Sequence, residues 1–135
     1  MRGQISLEFS ILILAVIVFV IISVGYVGIY GLNRSVQISA MSLAHSSVAK
    51  MKENIELVSL GDINTTKIVY IKTPPGTWSS NNNIIVFTNN NLNYSVSATC
   101  SVNVEMNGNL TINQGRTIRA VIRKINDNLV RVTIS

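Results

Sequence analysis

The chain has few of the residues that build reactive sites. Cys100 is the single cysteine, so no disulfide can form within the chain. His45 is the single histidine and stands beside Ser46, Ser47 and Lys50, with no nearby acid before Glu53. A Ser-His-acid triad would have to pass through His45, and Cys100 and His45 make no metal set at a ligand spacing. No motif with a catalytic mechanism is present, so the expectation is a protein that is not an enzyme and has no catalytic residue, metal or cofactor. Acids number 6 against 11 lysines and arginines, a formal net charge of +5. The basic residues are scattered, apart from Arg116, Arg119, Arg123 and Lys124. No aromatic platform accompanies that group, so it reads as a solvated basic strand face and nucleic acid is not an expected partner.

Apolar residues are abundant but unevenly spread. No charged residue occurs from Phe9 to Asn33. As a helix, Phe9 to Leu32 spans roughly 36 Å, enough for the hydrocarbon core of a bilayer. A removable secretory signal has a shorter apolar region, about 7–15 residues, and a small-residue cleavage site after it. The stretch Gly25-Tyr26-Val27-Gly28 offers no such site, so a retained membrane helix is expected. Tyr26 and Tyr30 lie one turn apart, where rings favour a water–lipid boundary. Gly25, Gly28 and Gly31 recur every third residue, which suits either close helix approach or a soft segment. Only Arg2 precedes the span, which signals orientation weakly. The expected placement is the cytoplasmic membrane, with the downstream domain outside.

The helix is expected to continue past Leu32. Val36, Ala40, Leu43, Ala44, Ser47, Val48, Met51, Ile55 and Val58 recur at three- and four-residue spacing. Gly61 reads as the stop signal, and a break near the glycines or Asn33 is compatible with the pattern. From Asp62 onward the texture is that of strands. Lys67–Lys72 and Ile84–Thr88 are expected strands, with Pro74-Pro75-Gly76 as a break. Leu92 to Met106 alternates apolar and polar for fifteen residues, long for one strand, so a bend or bulge is expected. Cys100 falls on its apolar register and is expected to be buried and inert. Asn107-Gly108 reads as a hairpin turn. Leu110–Asn113, Thr117–Ile125 and Leu129–Ser135 complete about six strands. The fold class is α+β: a long N-terminal helix, half membrane-spanning and half amphipathic, packed on an antiparallel β head. A full β-sandwich beside the helix is the alternative. The expected division is a leader stub 1–3, an apolar helix 4–32, an amphipathic extension 33–60 and the head 61–135.

Glu8 opens the apolar block. A carboxylate at a helix N-terminus complements the macrodipole, an effect of about 0.3–1 kcal/mol at a wet surface. Its neighbours suggest more. The string Arg2-Gly3-Gln4-Ile5-Ser6-Leu7-Glu8-Phe9-Ser10-Ile11-Leu12 resembles the processing site of archaeal class III pilins, which are type IV-like. Gln4, Ser6, Glu8 and Leu12 match that pattern, with Gly3 before it and an apolar helix after it. Leaders of this family are usually longer and more basic than Met1-Arg2-Gly3, so the expectation is either a start codon upstream or a peptidase that tolerates a stub.

The resemblance implies cleavage between Gly3 and Gln4 by a prepilin peptidase, a membrane-embedded aspartic enzyme. It implies that the freed amine of Gln4 pairs with Glu8 of a neighbouring subunit inside a fibre. A carboxylate among apolar helices is costly unless paired. An amine and a carboxylate about 4 Å apart gain roughly 4 kcal/mol at an effective dielectric of 20. The implied partners are the peptidase, other copies or related pilins, an assembly ATPase, a membrane platform protein, and lipid before assembly. The implied product is a cell-surface filament, with adhesion as the expected use. The alternatives are a monomeric single-pass surface binding protein and a minor or tip pilin.

Sixteen asparagines include four sequons, at Asn33, Asn64, Asn93 and Asn109. Chance alone gives about three such triplets at this composition, so the count itself carries no weight. All four lie on the side expected to be outside, and Asn64, at a helix–strand junction, is the foremost candidate for N-glycosylation. The segment with Pro74, Pro75 and Trp78 is either an exposed contact loop or a lid on the head's core, the second being favoured.

Overall fold

The computed structural model describes the backbone of residues 2–135 and the side chains of residues 3–135. One helix, α1 (Arg2–Ser59), precedes eight strands. These are β1 (Thr66–Thr73), β2 (Gly76–Asn81), β3 (Ile84–Asn89), β4 (Tyr94–Thr99), β5 (Asn103–Gly108), β6 (Thr111–Ile112), β7 (Arg116–Asn126) and β8 (Leu129–Ile134). The chain divides into two compact units, Met1–Ile38 and Ser39–Ser135.

The first unit is helix alone. No proline occurs before Pro74, so nothing in this stretch removes a helical N–H. Gly25, Gly28, Gly31 and Asn33 all lie within α1 rather than at a break. A methyl group built on any of the three glycines would touch nothing in the chain. Their small size therefore has no reason in the chain's own packing.

The second unit forms a core that the last five turns of α1 share with two four-stranded sheets. Ala44, Val48, Met51, Ile55 and Val58 are buried at alternating spacings of four and three, which places them on one helix face. Each large side chain so covered contributes about 1.5–3 kcal/mol of transfer free energy. One sheet has the order β1-β7-β8-β5 and the other β4-β3-β2-β6. The helix runs along the edge of β1, where Ser47 Oγ donates to Lys72 O at 2.6 Å and Lys50 Nζ to Tyr70 O at 2.9 Å. On its other side the Tyr94 hydroxyl donates to Ala40 O at 3.4 Å. The bonds to Lys72 O and Tyr70 O occupy carbonyls that an open β1 edge would otherwise offer to another chain.

Several expectations need correction. The fold class is α+β, one long helix packed on antiparallel-rich sheets, but the strands number eight rather than about six and they form two sheets. Pairing is antiparallel throughout except that β5 and β8 run parallel. Asn107-Gly108 is therefore no hairpin turn: both residues lie in β5, opposite Thr133 and Ile134. The alternating run from Leu92 is two strands in different sheets, β4 and β5. Cys100 and Val102 remain buried through the corner between them, so the alternation survives while the hydrogen-bonding partner changes. The corner is held by Cys100 N–H to Asn83 O at 2.7 Å and by Val104 N–H to Asn82 O at 2.8 Å.

Trp78 lies in β2, fully buried, with its ring edge-on to Phe87 at 5.1 Å between centroids. It is core, not an exposed contact residue. Helix α1 stops at Ser59, two residues before Gly61. Gly61 does not adopt a left-handed backbone, and its N–H bonds Val58 O at 3.1 Å.

Candidate functional site

Three features could carry function: the N-terminal turns of α1, the sequons and the basic residues of β7. Gly3, Gln4, Ser6, Glu8 and Leu12 all lie on α1, and all are exposed. Gln4, Glu8 and Leu12 are spaced by four, which sets them one above another on a single face. Ser6 O accepts a bond from Ser10 Oγ at 2.8 Å, the usual way a helix satisfies a hydroxyl in apolar surroundings. Glu8 has no ion-pair partner among the described residues. Met1 of the expected leader stub lies outside the described residues.

From Ile5 to Leu32, large apolar side chains are exposed on every face of the helix, from 41 % at Ile13 to 80 % at Tyr26. A helix apolar all round demands lipid or other helices around it. By length and composition it can cross a membrane. A carboxylate at the head of such a helix is stable only in water or opposite a cation. The arrangement suits insertion in lipid or side-by-side association of helices.

The sequons are dispersed. Asn33 lies on α1, exposed, close to the Arg34–Gln37 hydrogen bond of 3.3 Å. Asn64 and Asn93 are exposed and adopt positive φ, 71° and 52°, a backbone that asparagine tolerates better than most residues. Asn64 Oδ1 accepts from Arg123 at 2.8 Å. Asn109 is exposed after β5, its amide set to donate to Thr111 O at 3.0 Å and accept from Arg116 at 3.2 Å.

The basic group of β7 is not one surface. Arg116, Arg119 and Arg123 are exposed, but Lys124 is 8 % exposed and shares the inward register of Ile118, Ala120 and Ile122. Its ammonium donates to Ser59 O at 2.9 Å and Gly61 O at 2.8 Å. It thus closes the C-terminal end of α1, where helix carbonyls lack partners. The alternation of β7 was signal enough to place Lys124 inside. Glu56 plays a matching part, accepting from Ser101 N–H at 2.8 Å and from the Ser101 hydroxyl, and so pins the β4–β5 corner to the helix.

Cys100 is buried, and its thiol pKa is pushed up to about 11, first by desolvation and then by the Glu56 carboxylate. Burial also raises the Tyr94 hydroxyl, against a lowering hydrogen bond with Asn89. Among the described residues no three histidine, cysteine or acidic side chains gather where they could hold a metal.

A family model for the class III signal peptide matches residues 2–27, the stretch that carries the Gln4–Leu12 motif. A relative from Methanocaldococcus jannaschii named "Probable pilin" is 53 % identical over 134 residues, covering 98 % of this chain and 94 % of its own. The chain belongs to the archaeal class III pilins. A second relative, the minor structural pilin EpdB of Methanococcus maripaludis, is 41 % identical over 102 residues, covering 76 % of this chain and 77 % of its own. No solved structure matches. The pilin is thus a pilus subunit, a peptidase-processed precursor with an apolar membrane anchor that assembles into a surface fibre. Its named relatives are structural proteins.

Proposed function

We propose that this pilin is cut between Gly3 and Gln4 and polymerises through residues 4–32, with 33–60 as the helical extension and 61–135 as the head. Before assembly the head faces outward from the cytoplasmic membrane; afterwards it coats the filament. An assembly ATPase and a membrane platform protein drive extraction, because moving so apolar a helix out of lipid is not spontaneous. The freed amine of Gln4 meets Glu8 of a neighbour in the fibre interior. Such a pair penalises wrong register more than it adds raw stability, since leaving one charge buried alone costs about 3–5 kcal/mol. Adhesion is the use this reading assigns to the fibre. Asn64, Asn93, Asn109 and Asn33 are its proposed glycan acceptors, Asn64 foremost.

The observation that carries the proposal is the uncovered apolar helix headed by Gly3-Gln4 and Glu8. Mass spectrometry of surface material sheared from cells tests it. The expected N-terminal peptide begins at Gln4, and the expected source, by electron microscopy with antibody labelling, is a filament. A chain that retains Gly3, or stays in the membrane fraction as a monomer, overturns the proposal. Hexose-type mass additions on the Asn64, Asn93 or Asn109 peptides test the acceptors.

A second reading, that the chain is a minor subunit, is favoured by its 41 % identity to a minor structural pilin. Antibody density along purified filaments separates the two: continuous labelling for a major subunit, sparse labelling for a minor one.

A further inference from the structure

The head carries two uncovered apolar surfaces of opposite charge. The first is the outer face of the β1–β7 pair. Ile68 is 49 % and Tyr70 61 % exposed there. Register places Val121 across from Ile68, Arg119 across from Tyr70, Arg123 across from Thr66 and Lys72 across from Thr117. Among the described residues, Lys72, Arg119 and Arg123 have no ion-pair partner. The acid of the same sheet face, Glu105, is already paired with Arg131 at 3.0 Å.

The second surface lies at the end of α1. Leu57, Leu60 and Ile63 are 51, 84 and 54 % exposed. Glu53 and Asp62 stand among them, exposed and without ion pairs among the described residues. Glu53, Leu57 and Leu60 follow the spacing of one outward helix stripe.

Exposed apolar clusters rimmed by charge mark contact surfaces. The charges among the apolar residues differ in sign, basic around Ile68 and Tyr70 and acidic around Leu57, Leu60 and Ile63, while Lys50, one turn before Glu53, is held at Tyr70 O by a 2.9 Å bond. The two surfaces complement each other. A contact between two different surfaces of one chain does not use itself up, so it repeats from copy to copy and builds an open fibre. We infer that, in the pilus, the β1–β7 outer face of one head docks on the α1-end surface of the next copy, Arg119 and Arg123 facing Glu53 and Asp62 around Tyr70, Ile68, Leu57 and Leu60. This rests on the chain having copies of itself as neighbours in the filament.

Cysteine cross-linking in assembled filaments tests it, since native Cys100 is only 3 % exposed and does not compete. The full chain carrying Leu60→Cys and Tyr70→Cys, treated with a short bismaleimide, should give a ladder of multimers on a denaturing gel. Either substitution alone should give monomer. Dimers from a single substitution would mean a symmetric contact and would overturn the inference. So would filaments that contain the chain but yield no cross-link, whatever else covers these faces. If the cysteine variants do not assemble, charge reversal decides. Arg119→Glu and Glu53→Arg should each lose most filaments and their combination should restore them; failure to restore overturns the docking. Absence of this chain from wild-type filaments overturns the pilus reading along with it.

Discussion

Lys124 closes the end of a helix that finished 65 positions earlier in the chain: its ammonium lies 2.9 Å from Ser59 O. The same group reaches Gly61 O at 2.8 Å, with the Lys124 side chain 10 % exposed. Its ion pair with Asp127 is longer, 3.8 Å, and Asp127 is 94 % exposed. The carbonyl bonds should therefore dominate, since exposed pairs are worth about 0–1 kcal/mol. Lys124→Met keeps the stem and removes the donors; it should cost about 2–3 kcal/mol, as hydrogen bonds to a charged group typically contribute about 1.5–3 each. Asp127→Asn should stay within about 0.5 kcal/mol. Denaturant unfolding of the detergent-solubilised chain measures both, and equal effects would refute the ranking.

Glu8→Ala should leave membrane insertion and cleavage before Gln4 largely intact while filaments disappear. The buried amine of each neighbour would lose its counter-charge, at a cost of about 3–5 kcal/mol per contact, a factor of roughly 10² to several times 10³ in affinity at about 1.4 kcal/mol per tenfold. Electron microscopy of cells beside immunoblots of the membrane fraction checks it. Normal filaments from this variant would remove Glu8 from assembly.

Cys100 should resist thiol reagents in the folded chain at neutral pH and react fully after unfolding. Its folded pKa is raised to about 11 by burial and by Glu56. The folded state therefore holds this proton more tightly than the unfolded state, whose thiol ionises near the ordinary value of about 8.5. The stability this contributes is complete below that ordinary value and declines as pH rises through about 11. Cys100→Ala should flatten the alkaline limb of a stability–pH curve; an unchanged limb would assign it to other groups.

Gly108→Ala should destabilise the head by about 2 kcal/mol or more, in the range expected for strained backbone. Gly108 has φ of 95°, and a Cβ there would sit 2.2 Å from Ile134 O. Gly25→Ala has no neighbour in the chain to meet and should leave thermal unfolding of the head unchanged. Thermal unfolding of the two variants in parallel gives the comparison.

Legibility from sequence varied with the range of the interaction. The apolar block and the stripe from Ala44 to Val58 could be read directly, because lipid and a core each impose a local pattern. The class III signal of residues 2–27 could be read for the same reason, since it lies in consecutive residues. Trp78 was harder to place, since β2 (GTWSSN) has little apolar alternation and its burial depends on β3 and β6 flanking it. Lys124 was misread as surface although its register said otherwise, because a charge is seldom inside without partners. The partners here, Ser59 and Gly61, become visible only when the fold brings the end of α1 to β7.

From the residues alone came the helix, its apolar and amphipathic stretches, the class III signal and the face on which most strand residues lie. Each depends on neighbours within a few turns. The fold decided the pairing: β5 beside β8 in parallel, the Leu92–Met106 run shared between two sheets, and the ammonium that seals α1. Alternation tells a residue which way to point but not which strand to sit beside. That choice is settled only when loops of very different length close at once over one core.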